Sequence, residues 1–279
     1  QSLGIIIGAN VGTTVTGQII RLLDLNSSGT WFLQFLRPST LAPLALIIGI
    51  IIITGVKSNS SNSIGQIIIG FGILFSGLLN MTEAVSALSD SGIVERLFSS
   101  LGDNPLIACL FGAGGAFVLQ SSSASIGILQ AFSTSGVLTF GTIYTVLVGV
   151  YLGDCVTTAI VCGIGAKPEA KRVGVVNILF NLSKSALILI AVTVIHKMGL
   201  LDGIWDSTIH SGGIANTNTV FNLSCAFLLL PFVGIYEKIS QKLVKDKPAA
   251  TGKYDEMLDS LNPIFISTPA VAFGRCYDI

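Results

Sequence analysis

From Leu41 to Gly55 the chain reads LAPLALIIGIIIITG, without a single charged side chain. A run of this kind cannot be left in water. About 20 such residues in helical form cross a bilayer. Runs of this character recur at 3–23, 40–56, 64–80, 137–164, 173–196 and 215–236. Lipid offers no partner for a backbone N–H or C=O, so each run has to satisfy its own backbone as a helix. Composition agrees: 51% of the 279 residues are hydrophobic and 11% charged, with mean hydropathy +0.79. Soluble domains carry about 25% charged residues. The expected class is therefore an all-α polytopic membrane protein. A formal net charge of zero gives no footprint for nucleic acid. The cysteines Cys109, Cys155, Cys162, Cys225 and Cys276 have neither disulfide-framework nor zinc-finger spacing. The first residue lies inside an apolar run, without an initiator Met, so the chain is expected to be a fragment of a longer protein.

One apolar segment is interrupted. Residues 105–133 could cross once, but QSSSAS at 120–125 divides them. Each half has the length of a re-entrant arm, which predicts a helical hairpin that enters and leaves by one side. Serine runs are ordinarily loops. At membrane depth, however, irregular backbone persists only where it lines a cavity or is buried in protein. A broken helix frees N–H groups at the start of its second half, and the dipole there favours an anion. Serine hydroxyls add donors suited to a tetrahedral oxyanion. The same hydroxyls, the freed carbonyls and the Gln120 amide oxygen are also ligands for a small hard cation such as sodium.

Basic residues set the expected orientation. Lys238, Lys242, Lys245 and Lys247 follow the last run, and Lys167, Lys171 and Arg172 lie in loop 165–172. Loop 197–214 holds Lys197 against Asp202 and Asp206. The positive-inside rule places the first two groups in the cytoplasm and 197–214 outside. The hairpin then opens outward, as does the acidic connector 83–104, and Lys57 falls inside. In that frame GANVGTTVT (8–16) and GVYLGDCVT (149–157), which align without a gap at an offset of 141, run in opposite senses. Weakly similar motifs of opposite sense are the mark of an inverted-repeat secondary transporter. A second echo pairs Asn177 and Asn181 with Asn218 and Asn222, each two Asn on one helix face. Asn also serves as hydrogen-bonding glue between membrane helices.

Two ionisable residues fall at depth. Asp154 and Lys184 are site candidates by default, because charge in a span is costly. Asp154 is expected to face the site and favour a cation. Lys184 could pair with Asp154, attract an anion or snorkel to the surface. A serine hydrolase would need a base near its nucleophile. The two histidines, His196 and His210, lie at or beyond a helix end, and no GxSxG is present. A channel or solute-sensing scaffold is the other competitor, separated from a carrier by its inability to concentrate solute.

QSSSAS, with Gly149 placed 29 residues after Gln120, resembles the second half of the type II sodium/phosphate cotransporter family. GANVGTTVT resembles the motif closing that family's first half. DNPL at 103–106 and FGILFSG at 71–77 fit as well, and the two N-x-x-F-N copies resemble family motifs. LDSL at 258–261 and ISTPA at 266–270 resemble the start of a PhoU-like cytoplasmic domain. The resemblance implies sodium-coupled symport of inorganic phosphate by alternating access, without enzymatic activity and with no cofactor beyond sodium as coupling ion. The alternatives are another oxyanion or a regulatory role. It implies phosphate ligands at Gln120, Ser121, Ser122 and Ser123, with Asn10, Thr13 and Thr14 on the first-half partner motif. Together with the residues read for themselves, the expected sodium ligands are Gln120, Ser123, Ser125, Asn10, Thr13, Thr14, Asp154 and Thr157. Gly12 and Thr16 complete the first-half motif. Asn177, Asn181, Lys184, Asn218 and Asn222 are supporting residues. Residues 1–100 would finish a first repeat, 101–240 form the second, and 241–279 begin the PhoU-like part. A multi-pass protein of the cell membrane with a cytoplasmic C-terminus is implied, in contact with lipid and open to homodimer formation. Two departures stand out. A first QSSS hairpin would precede Gly8 and is not in the chain. The family's N-x-G-T-T becomes Tyr151-Leu152-Gly153-Asp154-Cys155 in the second copy, which loses an Asn and gains an acid.

Overall fold

The computed structural model describes residues 2–21, 38–55, 59–164 and 166–245. Lys57, Lys247 and the PhoU-like motifs at 258–261 and 266–270 lie outside the described residues. The described chain is a multi-pass helical membrane protein. α1 (Ser2–Ile20), α2 (Pro38–Gly55) and α3 (Asn59–Asp90) come first. α4 (Ile93–Asp103), α5 (Pro105–Leu119) and α6 (Ser122–Phe132) follow, then α7 (Phe140–Gly163) and α8 (Pro168–Lys197). α9 (Asp202–Trp205), α10 (Ser211–Leu229) and α11 (Val233–Leu243) close it. Among the described residues, four stretches are long and apolar enough to cross a membrane: Asn62–Asp90, Phe140–Gly163, Pro168–Lys197 and Ser211–Leu243. α1 and α2 are apolar but shorter. Pro231 has no N–H to give the helical ladder, so α10 passes through a 3-10 turn at Leu230–Phe232 into α11.

The acidic connector 83–104 is helical. α3 runs on to Asp90, and Gly92 turns the chain at φ +71°. In α4, Val94, Phe98 and Leu101 fall on one face and are buried, while Glu95 and Arg96 are exposed. The spacing i, i+4, i+7 is what a helix lying against a bundle requires. Phe98 packs on Phe111 of α5 and Phe132 of α6, with centroids 6.3 and 5.4 Å away. Pro105, at the start of the hairpin, and Val137, just past its end, line one hollow with Phe98. The hairpin therefore leaves by the side it enters.

Loop contacts sort the helix ends into two groups. Ile209 N–H donates to the Leu138 carbonyl at 2.8 Å, which puts loop 198–210 beside the open end of the hairpin. Arg172 Nε donates to the Val244 carbonyl at 3.1 Å, which joins loop 165–172 to the end of α11. The positive-inside reading grouped the same segments in the same way.

Close packing comes from glycine. A Cβ on Gly112 would overlap the Val146 carbonyl, one on Gly149 the Cys109 carbonyl, and one on Gly153 the Ala113 carbonyl. α5 and α7 thus touch backbone to backbone, the usual work of small residues between membrane helices. α6 is held differently. Gln130 is fully buried, and its Nε2 donates to Gly17 O (3.0 Å), Ser211 O (3.2 Å) and Ser211 Oγ (3.1 Å). One side chain thereby ties the hairpin to α1 and α10.

Three outcomes follow for the full-length protein in detergent. Gly149→Ala forces a methyl into a carbonyl and lowers stability by about 1–3 kcal/mol. Gly114→Ala, whose methyl meets open space, is neutral or stabilising by up to about 1 kcal/mol. Thermal unfolding monitored by aggregation separates them. Gln130→Leu strands its buried carbonyl acceptors and costs about 1–3 kcal/mol. Unchanged melting of either Gly149→Ala or Gln130→Leu would contradict the packing described.

Candidate functional site

The break lies where the polar residues stand. Gln120 closes α5 in the left-handed region (φ 52°, ψ 28°), its N–H donating to Ala116 O at 2.9 Å. It is the one non-glycine residue of positive φ among the described residues. Such a conformation is uncommon outside glycine and marks a constrained turn. Ser121 is extended and caps α6, its Oγ accepting from Ala124 N–H at 3.2 Å. Ser125 Oγ donates to Ser121 O at 2.9 Å. Capping by Ser and the restart of the helix leave the first N–H groups of α6 at the tip.

The serines of the tip face two hollows. Ser122 lines a cavity of about 440 Å³ with Asn10 and Thr13 of α1, Asp154 and Thr158 of α7 and Asn177 of α8. Ser121 and Ser123 line a second, mostly apolar hollow of about 420 Å³ with Thr16, Gly77 and Leu78. Gln120 is exposed and lines neither. The first cavity therefore brings together the α1 motif, the QSSS tip and the acid of α7, groups that are far apart in sequence.

Several expected ligands are placed elsewhere. Ser125 is buried, with its hydroxyl given to Ser121 O. Thr14 is buried and donates to Val11 O at 2.6 Å. Thr157 donates to Gly153 O at 3.3 Å, and Thr158 rather than Thr157 lines the cavity. Asp154 and Thr158 are four apart and so share a helix face, a signal that spacing alone supplied. Thr13 lines the cavity while donating to Ala9 O at 3.1 Å. Gly12 has open space around it. Asn177 Nδ2 donates to Thr158 Oγ1 at 2.9 Å, and Asn181 Nδ2 donates to Asn177 Oδ1 at 3.0 Å. The first Asn pair thus orients a hydroxyl of the cavity wall.

Lys184 lies in a buried polar network. It is 0% exposed, so it does not snorkel. No direct ion pair joins it to Asp154, and it does not line the cavity that Ser122 and Asp154 share. Its Nζ donates to Asn10 Oδ1 (2.8 Å) and Asn222 Oδ1 (3.0 Å) and stands 3.9 Å from the centroid of the Tyr151 ring. Tyr151 OH donates to Asn218 Oδ1 at 2.7 Å, and Asn222 Nδ2 donates to the same oxygen at 2.8 Å. The second Asn pair belongs to this buried network rather than to the cavity. Tyr151 and Gln130 were not legible as site-supporting residues. The signal for Tyr151 was its alignment with Asn10 at the offset of 141.

Comparison with known proteins gives a consistent picture. A model of the Na+/Pi-cotransporter family matches residues 1–83 and 77–214. Over 248 residues, 88% of this chain, the sequence is 27% identical to the Escherichia coli (strain K12) protein named "Putative inorganic phosphate export protein YjbB". It is 26% identical over the same length to the protein of that name from Salmonella typhimurium. It is 23% identical to "Uncharacterized protein YqeW" of Bacillus subtilis (strain 168), 74% of which is covered. The chain spans 42% of the length of the phosphate-export relatives. No solved structure matches. The family model takes in most of the chain, including α1, the QSSS hairpin and α7: the chain belongs to the Na+/Pi-cotransporter family, which is a family of transporters and not of enzymes.

Proposed function

We propose that this chain forms part of a sodium-coupled carrier of inorganic phosphate. The observation that carries the reading is the cavity joining Asn10 and Thr13, Ser122, and Asp154 with Thr158. In it the Ser122 hydroxyl and the first N–H groups of α6 meet phosphate oxygens, where the helix dipole favours negative charge. Asp154, Thr13 and Thr158 supply hard oxygen ligands for sodium on the facing wall. The two ions then lower each other's cost of leaving water. Gln120, Ser121 and Ser123 join the phosphate shell as the tip passes between the two hollows that flank it.

The carrier works by alternating access between inverted repeats, with α1 and α7 as corresponding elements. Loop 165–172 and the end of α11 are cytoplasmic in this reading, on the strength of their basic residues, and the protein resides in the cell membrane. The relatives' printed name favours export. Net movement outward is compatible with a symporter whose combined gradients point that way, so direction is a property of the gradients.

The test is radiolabelled phosphate uptake by the full-length protein in proteoliposomes, with and without an inward sodium gradient. Accumulation above equilibrium, driven by sodium, is expected. Uptake indifferent to sodium would overturn the coupling. Asp154→Asn and Ser122→Ala should each reduce sodium-driven uptake at least about tenfold, the effect of losing one charge-assisted contact of about 1.5–3 kcal/mol. Asp154→Asn should also raise the sodium concentration for half-maximal uptake, which a purely structural role would leave unmoved.

A further inference from the structure

The Lys184 ammonium is held by a ligand set with no negative charge in it. Two amide oxygens lie at 2.8 and 3.0 Å and an aromatic face at 3.9 Å. These groups come from four different helices: Asn10 from α1, Tyr151 from α7, Asn222 from α10 and the lysine itself from α8. Neutral amide oxygens and an aromatic face are what a protein uses to hold a monovalent cation. Among the described residues, no carboxylate forms a direct ion pair with Nζ. Asn10 and Tyr151 also occupy matching positions of the two aligned motifs. The lysine therefore sits where the two motif copies meet. Asn10 has one face on the cavity and its oxygen on the ammonium.

We propose that Lys184 fills a monovalent-cation site between α1, α7, α8 and α10 and acts there as a permanently bound cation. A tethered ammonium is present at high effective concentration and cannot dissociate. It keeps one positive charge a single residue behind the cavity wall without consuming an ion from solution. The physical cost is high. An intramembrane ammonium without a direct counter-ion is unfavourable by several kcal/mol, which argues against a lysine placed there for packing alone. Removing Lys184 empties a site whose oxygens remain, and a small cation then enters it. This goes beyond the coupling reading and rests on it only for transport.

The experiment compares full-length wild type with Lys184→Ala in detergent, at matched ionic strength in sodium, lithium, potassium or choline chloride. Thermal unfolding reports cation occupancy without transport. Lys184→Ala is expected to melt about 5 °C or more higher in at least one alkali salt than in choline, saturably, and beyond any such difference in wild type. Adding Asn222→Ala should abolish the extra shift. In proteoliposomes the variant should show a steeper sodium dependence of phosphate uptake. A Lys184→Ala protein no more cation-sensitive than wild type overturns the proposal, as does an extra shift that survives Asn222→Ala. Failure to recover Lys184→Ala in any of the salts also overturns it, because a vacated cation site would be refilled. A positive thermal result with no sodium-driven uptake in wild type would count against the carrier reading and leave this one standing.

Discussion

Everything at the centre of this bundle depends on recapturing the polar groups that a helix break sets free in an apolar setting. The chain does so locally and at a distance. Locally, Gln120 folds back on Ala116 O and Ser121 caps the restarted helix through Ala124 N–H. At a distance, Gln130 fixes the far end of the second arm to α1 and α10. Between the two, the restarted helix brings Ser122 to the wall of a cavity. Without the cap the tip would fray, and without the anchor it would have no fixed address.

The local part of this arrangement was legible in the sequence. An amide and three serines inside an otherwise apolar run can only be a break, and a Ser before a fresh apolar stretch is a cap by its chemistry. The spans were legible for the same reason, since hydropathy is a property of each segment alone. α4 was less so: its three buried residues sit among serines and charges, so total hydropathy hid a face that only periodicity carries.

What the sequence could not fix were meetings between distant residues. Asn10 and Lys184 are 174 residues apart, and Gln130 and Gly17 are 113 apart. Their contacts are decided by how helices stack, and residue type constrains that weakly. Lys184 illustrates the point. Its charge and depth were visible, but carboxylate, anion and water were the natural partners to consider, whereas two Asn oxygens and a Tyr face hold it. The choice between Thr157 and Thr158 failed for a smaller reason. Alignment to the first motif copy selected one residue, and the rotation of α7 about its own axis selected the next.

The glycine contacts between α5 and α7 bear on mechanics. Two helices whose backbones touch at Gly112, Gly149 and Gly153 have no side-chain layer to act as a lubricant between them. They cannot slide or roll past each other without opening a gap along their whole seam. The first hairpin arm and α7 therefore move as one block, and Asp154 travels with the arm that carries the tip. Any motion that opens the cavity has its plane of shear on the other side, along α1, where the Asn10–Lys184 hydrogen bond is the fastening that must stretch or swing.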